Sequence, residues 1–209
     1  MNRRTILKSA ALLPFVSPST QLVTSAPTAR KRSVRFAYVG DTHIRPETKP
    51  MEGVAKCFHH AQNQTDKPAF FLHGGDVIMD ALKQDRNDVQ KQWDAWHTVV
   101  KADNSLPIEY CIGNHDIWGY EQAQTDPMYG KKWAVDLMKI GNRYRSFDRN
   151  GWHFIILDSV QMTPENKWYT GFIDPEQLDW LKSDLAKTDP KTPILILSHI
   201  PIFSPTAFY

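Results

Sequence analysis

Ala69-Phe70-Phe71-Leu72-His73-Gly74-Gly75-Asp76 is an apolar, β-prone run that stops at two glycines and a carboxylate, and three other runs in the chain end in the same manner. Val34–Val39 leads to Asp41-Thr42-His43, Pro107–Ile112 to Gly113-Asn114-His115-Asp116, and Pro193–Leu197 to Ser198-His199. Side chains at the carboxyl ends of strands sharing one sheet converge in one crevice. Carboxylates, an amide and imidazoles gathered there form an oxygen-and-nitrogen donor set suited to Zn, Mn or Fe, and a carboxylate such as Asp76 can join two such ions. The pattern predicts a metal-dependent hydrolase. Asp41, Asp76 and Asn114 are also ordinary turn and capping residues, but that reading leaves the histidines at matching strand ends without a reason.

Between these strands the chain alternates with helical signals. A helix is expected over 51–64 and another over 85–101, where Trp93, Trp96 and Val100 recur at spacings of three and four and predict a buried face. The segment 117–142 reads as a helical insert beside the site. Arg143–Phe147 and Trp152–Leu157 read as a hairpin joined by Asp148-Arg149-Asn150-Gly151. Asp174-Pro175-Glu176-Gln177 opens a helix in which Asp174 caps, Pro175 takes the first position and Gln177 reaches back; Leu178, Leu181 and Leu185 form its apolar stripe. Alternating strands and helices favour an α/β sandwich with helices outside.

The order D-x-H, G-D, G-N-H-D and a lone histidine after an apolar strand resembles the calcineurin-like metallophosphoesterases, from about Val34 to the last residue. The resemblance implies an α/β fold, a metallophosphoesterase-type β-sandwich flanked by helices (αββα), and a centre of two divalent transition metals, Mn, Fe or Zn. Asp41 and His43 would bind the first metal, Asp76 would bridge, and Asn114 and His199 would bind the second. His115 would be catalytic, protonating the leaving oxygen or stabilising phosphoryl charge, and Asn114 and His115 would contact the substrate. Asp116 would orient His115 or close its turn. The activity implied is hydrolysis of a small-molecule phosphoester, a diester by similarity to bacterial phosphodiesterases related to the cyclic-nucleotide group, with a bridging hydroxide as nucleophile. Purple acid phosphatases are similar in motif order but place a tyrosine ligand where Met79 stands, which argues against a Tyr-ligated ferric centre.

The family pattern ends with a G-H-x-H segment that this sequence lacks, so the domain is expected to be incomplete at its C-terminus, a fragment rather than a decayed site. Each metal would then lack one protein ligand. The alternative to an enzyme is a catalytically silent, exported binding module of the same fold. Metal-dependent amidohydrolysis is set aside because its usual H-x-H start is not present.

Among the other polar residues, His73 is expected to pack or support the site rather than ligate. Adjacent His59 and His60 do not share a helix face, His97 and His153 are surface or core residues, and Arg45 is read as a solvated loop arginine.

Composition sets the remaining bounds. With 209 residues and 41% apolar content the chain can bury a sizeable core, and the spread of the motifs argues for one domain. Seven of the 25 Lys and Arg lie within residues 1–35, which hold no acid, so the remainder sets 18 bases against all 23 acids. An acidic body excludes a polyanion-binding surface, and no nucleic-acid partner is expected. Residues 1–32 are set apart from the phosphoesterase domain, 33–209. Asn2-Arg3-Arg4-Thr5-Ile6-Leu7-Lys8 is similar to a twin-arginine export signal, departing from it at Asn2 and Ile6, and places the protein outside the cytoplasm as an exported chain. A disordered basic arm or a retained anchor is the other reading. The stretch is too short and too interrupted to span a bilayer. Cys57 and Cys111 are expected to be buried, unpaired thiols, and neither has metal-ligand spacing.

Overall fold

The computed structural model describes residues 34–165 and 168–202. The export-signal expectation for residues 1–32 lies outside them. Three parallel strands, β1 (Ala37–Val39), β2 (Phe71–His73) and β3 (Ile108–Tyr110), form the first sheet in the order β1-β2-β3. Each pair is joined by a crossover helix, α1 (Thr48–Gln62) and α2 (Arg86–Asp103). The second sheet places β5 (Trp152–Ile156) between antiparallel β4 (Arg145–Arg149) and parallel β8 (Ile194–Leu197). A small ribbon pairs β6 (Val160–Met162) with β7 (Trp168–Gly171), and α4 (Pro175–Lys187) precedes β8. The architecture is α/β, with the helices on the sheets as the family pattern implies.

Strand alternation divides the core. Phe71 meets Phe58 of α1, with ring centroids 5.1 Å apart, while Phe70 turns the other way to meet Phe154 of the second sheet at 5.5 Å. Successive side chains leave opposite faces of a strand, so the first sheet is buried on both sides. Trp93 and Trp96 of α2 are buried as their spacing predicts. Both faces of β2 are therefore occupied.

Several expectations need correction. Helix α1 begins at Thr48, earlier than expected, and includes Pro50; in a first turn the missing N–H has no intrahelical partner to lose. Cys57 is exposed, because α1 turns Val54 and Phe58 to the core, whereas Cys111 is buried and burial pushes its thiol up to about 12. The 117–142 segment is mostly turns, with a single α-helix, α3 (Lys132–Met138), and a bridge from Trp118 to Gly130. The β4–β5 strands run through Arg149 and leave a two-residue turn, Asn150-Gly151, both at positive φ (51° and 80°), as a tight twisted hairpin requires. Leu178 and Leu185 of α4 are exposed, so the expected apolar stripe is not buried among the described residues.

Gln177 is fully buried and does not reach back to cap α4; Asp174 caps alone, accepting the Gln177 N–H at 2.9 Å. The Gln177 amide instead clasps Asp158, donating to its carbonyl and accepting its N–H. The Asp158 carboxylate, wholly buried, takes Lys131 Nζ at 2.5 Å and Arg143 Nη1 at 2.9 Å. Arg143 also reaches Asp174 at 2.7 Å, which draws it out of the expected strand. This ion cluster ties the insert, the end of β5 and the start of α4 together. Removing one partner would leave buried charge uncompensated.

His153 lies between two carboxylates, Asp148 of β4 and Asp184 of α4, each 2.7 Å from a ring nitrogen. Burial opposes its charging, but the two carboxylates outweigh it and hold its pKa above the usual histidine value. The protonated ring donates to both, so its contribution to stability is complete below the unfolded-state pKa of about 6.5. That contribution is lost as pH rises through the raised folded-state value. Urea midpoints at pH 5.5 and 8.5 should therefore differ more in the wild-type chain than in His153→Gln. Equal pH dependence in the two chains would refute this role.

Candidate metal centre

Four loops meet where the strands of both sheets end. Backbone hydrogen bonds lace the loop after β1 to that after β2: Asp41 N–H donates to Gly75 O (3.0 Å), His43 N–H to Asp76 O (3.1 Å) and Ile44 N–H to Val77 O (3.0 Å). The buried Asp116 carboxylate then gathers four N–H groups, those of Asp76, Val77, Ile78 and Gly113, at 2.8–3.3 Å. Burial raises Asp116 to about 7 against those hydrogen bonds. Asp116 thus closes its own turn and pins the Asp76 loop, as one of its two expected roles requires.

Asp41, His43 and Asp76 all adopt left-handed backbone, with φ of 53°, 43° and 54°. Non-glycine residues rarely hold this conformation, and it persists only where surrounding structure imposes it. The lacing described above supplies that constraint. The left-handed turns set these three residues at the meeting point of the loops.

Asp76 stands in the middle. Its Oδ1 accepts the His115 N–H at 2.8 Å, while Oδ2 faces His199 Nε2 at 3.4 Å and His43 Nε2 at 3.6 Å. His199 Nδ1 lies 2.9 Å from the Gly74 carbonyl, and its Nε2 is 3.0 Å from Asn114 Oδ1. A ring that donates one N–H to a backbone carbonyl presents its other nitrogen as a lone pair, the usual support of a metal-bound imidazole. Burial opposes charge on His199, yet Asp76, the Gly74 carbonyl and Asp41 raise it to about 9. Burial likewise opposes charge on Asp76, and the hydrogen bonds from His199 and the His115 N–H hold it below its ordinary value.

Two donor groups share Asp76: His43 with Asp76 and His115, and Asp41 with Asp76 and His199, the donor atoms of each lying within 4.8 Å of one another. Asn114 joins the second through His199. All six residues singled out from sequence are therefore brought together. By donor-atom proximity Asp41 is grouped with His199, and His115 with His43. The Nδ1 of His43 is buried without a hydrogen-bond partner among the described residues. The mixed set of carboxylate, amide and imidazole donors around Asp76 fits Mn, Fe or Zn.

His115 Nδ1 donates to the Met79 carbonyl at 2.5 Å, which directs Nε2 away from that loop, and its ring meets His43 edge-on at 4.7 Å. The contribution of Met79 is its backbone oxygen. His73 supports the site, as expected, rather than ligating: Nδ1 accepts the Gly75 N–H at 3.2 Å and Nε2–H donates to Thr42 Oγ1 at 3.1 Å, whose hydroxyl donates to Val77 O at 2.9 Å. Complete burial holds this ring neutral, with its pKa lowered to about 3. Arg45 turns to Glu47 at 3.4 Å. Thr42, Gly74 and Ser159, whose hydroxyl accepts the Ile200 N–H at 2.8 Å, were missed from sequence. Only Thr42, between two motif residues, carried any signal there.

The calcineurin-like phosphoesterase family model matches residues 34–208. Purple acid phosphatase 22 of Arabidopsis thaliana is 29% identical over 180 residues, covering 82% of this chain and 36% of that protein. Purple acid phosphatase 15 of the same plant is 32% identical over 127 residues, 57% of this chain and 22% of its own length. The serine/threonine-protein phosphatase CPPED1 of Rattus norvegicus is 25% identical over 139 residues, 66% of this chain and 41% of its own. The chain thus spans about a fifth to two-fifths of the length of these relatives. No described helix is long and apolar enough to cross a membrane.

Proposed function

The chain belongs to the calcineurin-like phosphoesterase family, and we propose that it hydrolyses a small-molecule phosphoester with two divalent metals. The observation that carries this reading is the pair of donor groups sharing Asp76. Relatives named as phosphatases support the same reaction class. Asp41 and His43 would hold one ion, Asn114 and His199 the other, and Asp76 would serve both. Bound cations would supply Lewis-acid polarisation of the phosphoryl oxygens and offset the charge that develops in in-line displacement. Asn114 and His115 would meet the phosphoryl group.

His115 is the residue for the leaving group. With Nδ1–H committed to Met79 O, its Nε2 is the atom that would carry a proton to the departing oxygen. A diester is the substrate we favour. No arginine contacts the donor groups among the described residues, and Arg45 pairs with Glu47. The diester preference rests on the similarity to bacterial phosphodiesterases read from the sequence. Exported location remains part of the proposal, resting on the sequence of residues 1–32.

Hydrolysis of bis-p-nitrophenyl phosphate and of p-nitrophenyl phosphate with added Mn tests this directly. Release of p-nitrophenolate from the diester at a higher kcat/KM than from the monoester is the expected result. The opposite preference would retain the hydrolase and discard the diester. Silence with both, in a chain that still binds Mn, would identify the binding module instead.

A further inference from the structure

His199 comes to the centre from the second sheet, while the groups that hold its ring, the Gly74 carbonyl and Asn114 Oδ1, belong to the first. The β8 ladder that delivers it ends at Leu197, whose carbonyl accepts the Leu157 N–H at 2.9 Å. Beyond that point the backbone must aim an imidazole across to the other sheet. The peptide unit from His199 to Ile200 is planar, so a hydrogen bond at the Ile200 nitrogen fixes the plane that begins at the His199 Cα. That bond goes to Ser159 Oγ, at 2.8 Å. Ser198 Oγ closes the same turn by donating to Ile200 O at 2.5 Å. The Ile200 side chain is wedged over Gly171, where a Cβ would stand 2.9 Å from its Cγ2.

An anchor positions a ligand only if it is itself held. Ser159 is buried, its carbonyl accepts the Phe172 N–H at 3.0 Å, and it follows the fully buried Asp158. The Asp158 N–H and carbonyl are clasped by the Gln177 amide at 2.8 and 2.9 Å, and the carbonyl also accepts from Gln161 Nε2 at 3.1 Å. Its carboxylate holds Lys131 and Arg143. Buried ions of this kind resist displacement, because each would lose the partner that compensates it. The hydroxyl on the next residue is therefore a fixed point of the fold, set against the peptide that carries His199.

We propose that Ser159 is a positioning residue of the metal centre, fixing His199 through the Ile200 N–H and transmitting to it the rigidity of the Asp158 cluster. The proposal rests on the metal-centre reading and adds a residue that touches no donor side chain itself. Groups that orient a ligand from outside the coordination shell act on metal affinity about 10–100-fold. Their loss is felt at the ligand they orient, whereas a general loosening of the domain is felt at all ligands alike.

Ring resonances of isotopically labelled histidines in the full chain, assigned through His199→Gln and His43→Gln, report zinc at each imidazole separately across a zinc-buffered series. In Ser159→Ala the dissociation constant read at His199 should rise by about tenfold or more, while that read at His43 stays close to wild type. Ser159→Thr, which keeps the hydroxyl, should restore the His199 reading. Unchanged zinc affinity at His199 in Ser159→Ala, a loss shared equally by His43, or a Ser159→Thr chain as weak as Ser159→Ala would overturn the assignment of Ser159 and leave the metal-centre reading standing. A wild-type chain in which neither imidazole responds to zinc would overturn the metal-centre reading and the assignment of Ser159 with it.

Discussion

Replacing Gly113 by alanine should empty the metal centre. A Cβ at this position would stand 2.1 Å from Asp76 Oδ1, 2.2 Å from the Asp76 nitrogen and 2.8 Å from its carboxyl carbon. Nothing there can give way cheaply. The Asp76 backbone is tied through its N–H to Asp116, and its carboxylate faces both donor groups. Moving Asp76 therefore disturbs both donor groups at once. Overpacking of this kind costs about 1–3 kcal/mol in a well-packed interior, and displacement of the shared ligand should lower Mn affinity by at least the ~10–100-fold seen when supporting contacts are lost. Equilibrium dialysis against Mn reads the result. Two ions bound to Gly113→Ala at wild-type affinity would show that Asp76 does not serve both positions. The glycine is thus a requirement of the carboxylate beside it, as well as a turn residue. Gly75 has a related role: at φ +97°, its missing Cβ leaves room for Gly113 and for His199 Nδ1, each within 2.8 Å of that point.

Replacing His115 by glutamine should separate chemistry from metal binding. General acid catalysis by a positioned side chain contributes about 10²–10⁴-fold, and turnover of a poor leaving group should fall by that order. Bound Mn should be retained, because Asp41, His43, Asp76, Asn114 and His199 remain. The outcome is informative because His115 also lies among the donors near His43. Loss of one equivalent of Mn together with activity would make His115 a ligand and remove it from the acid role. A further sign distinguishes the two: an acid matters least when the leaving group is already good. The deficit should therefore shrink for p-nitrophenolate relative to an unsubstituted phenolate, whereas loss of a metal would depress both alike.

The structure also shows how so compact a motif set is held. Left-handed backbone at Asp41, His43 and Asp76 is costly, at about 1–3 kcal/mol for each such residue. The compensation comes from the interlaced loops and from the single Asp116 carboxylate that collects four N–H groups. Stability away from the centre is supplied in part by two charged devices invisible as motifs, the Asp158 cluster and the His153 bridge.

Period and spacing by themselves determined the alternation of strands and helices, the buried tryptophans of α2 and the Asp174 cap, because each depends on residues near in sequence. The order of the four segments pointed to a meeting of Asp41, His43, Asp76, Asn114, His115 and His199; for the first five the reason is that β1, β2 and β3 share a sheet, whereas His199 arrives from β8 of the second sheet, which only the fold shows. Tertiary structure alone decided which His115 nitrogen is free and why Gly113 has no side chain. It also decided that Gln177 and Asp158, 19 residues apart, would clasp each other, and that Lys131 and Arg143 would serve one buried carboxylate. The physical reason is range. A turn or a helix face is set within a few residues, whereas hydrogen bonds, steric exclusion and buried charge act over a few ångströms between residues that only the fold brings together.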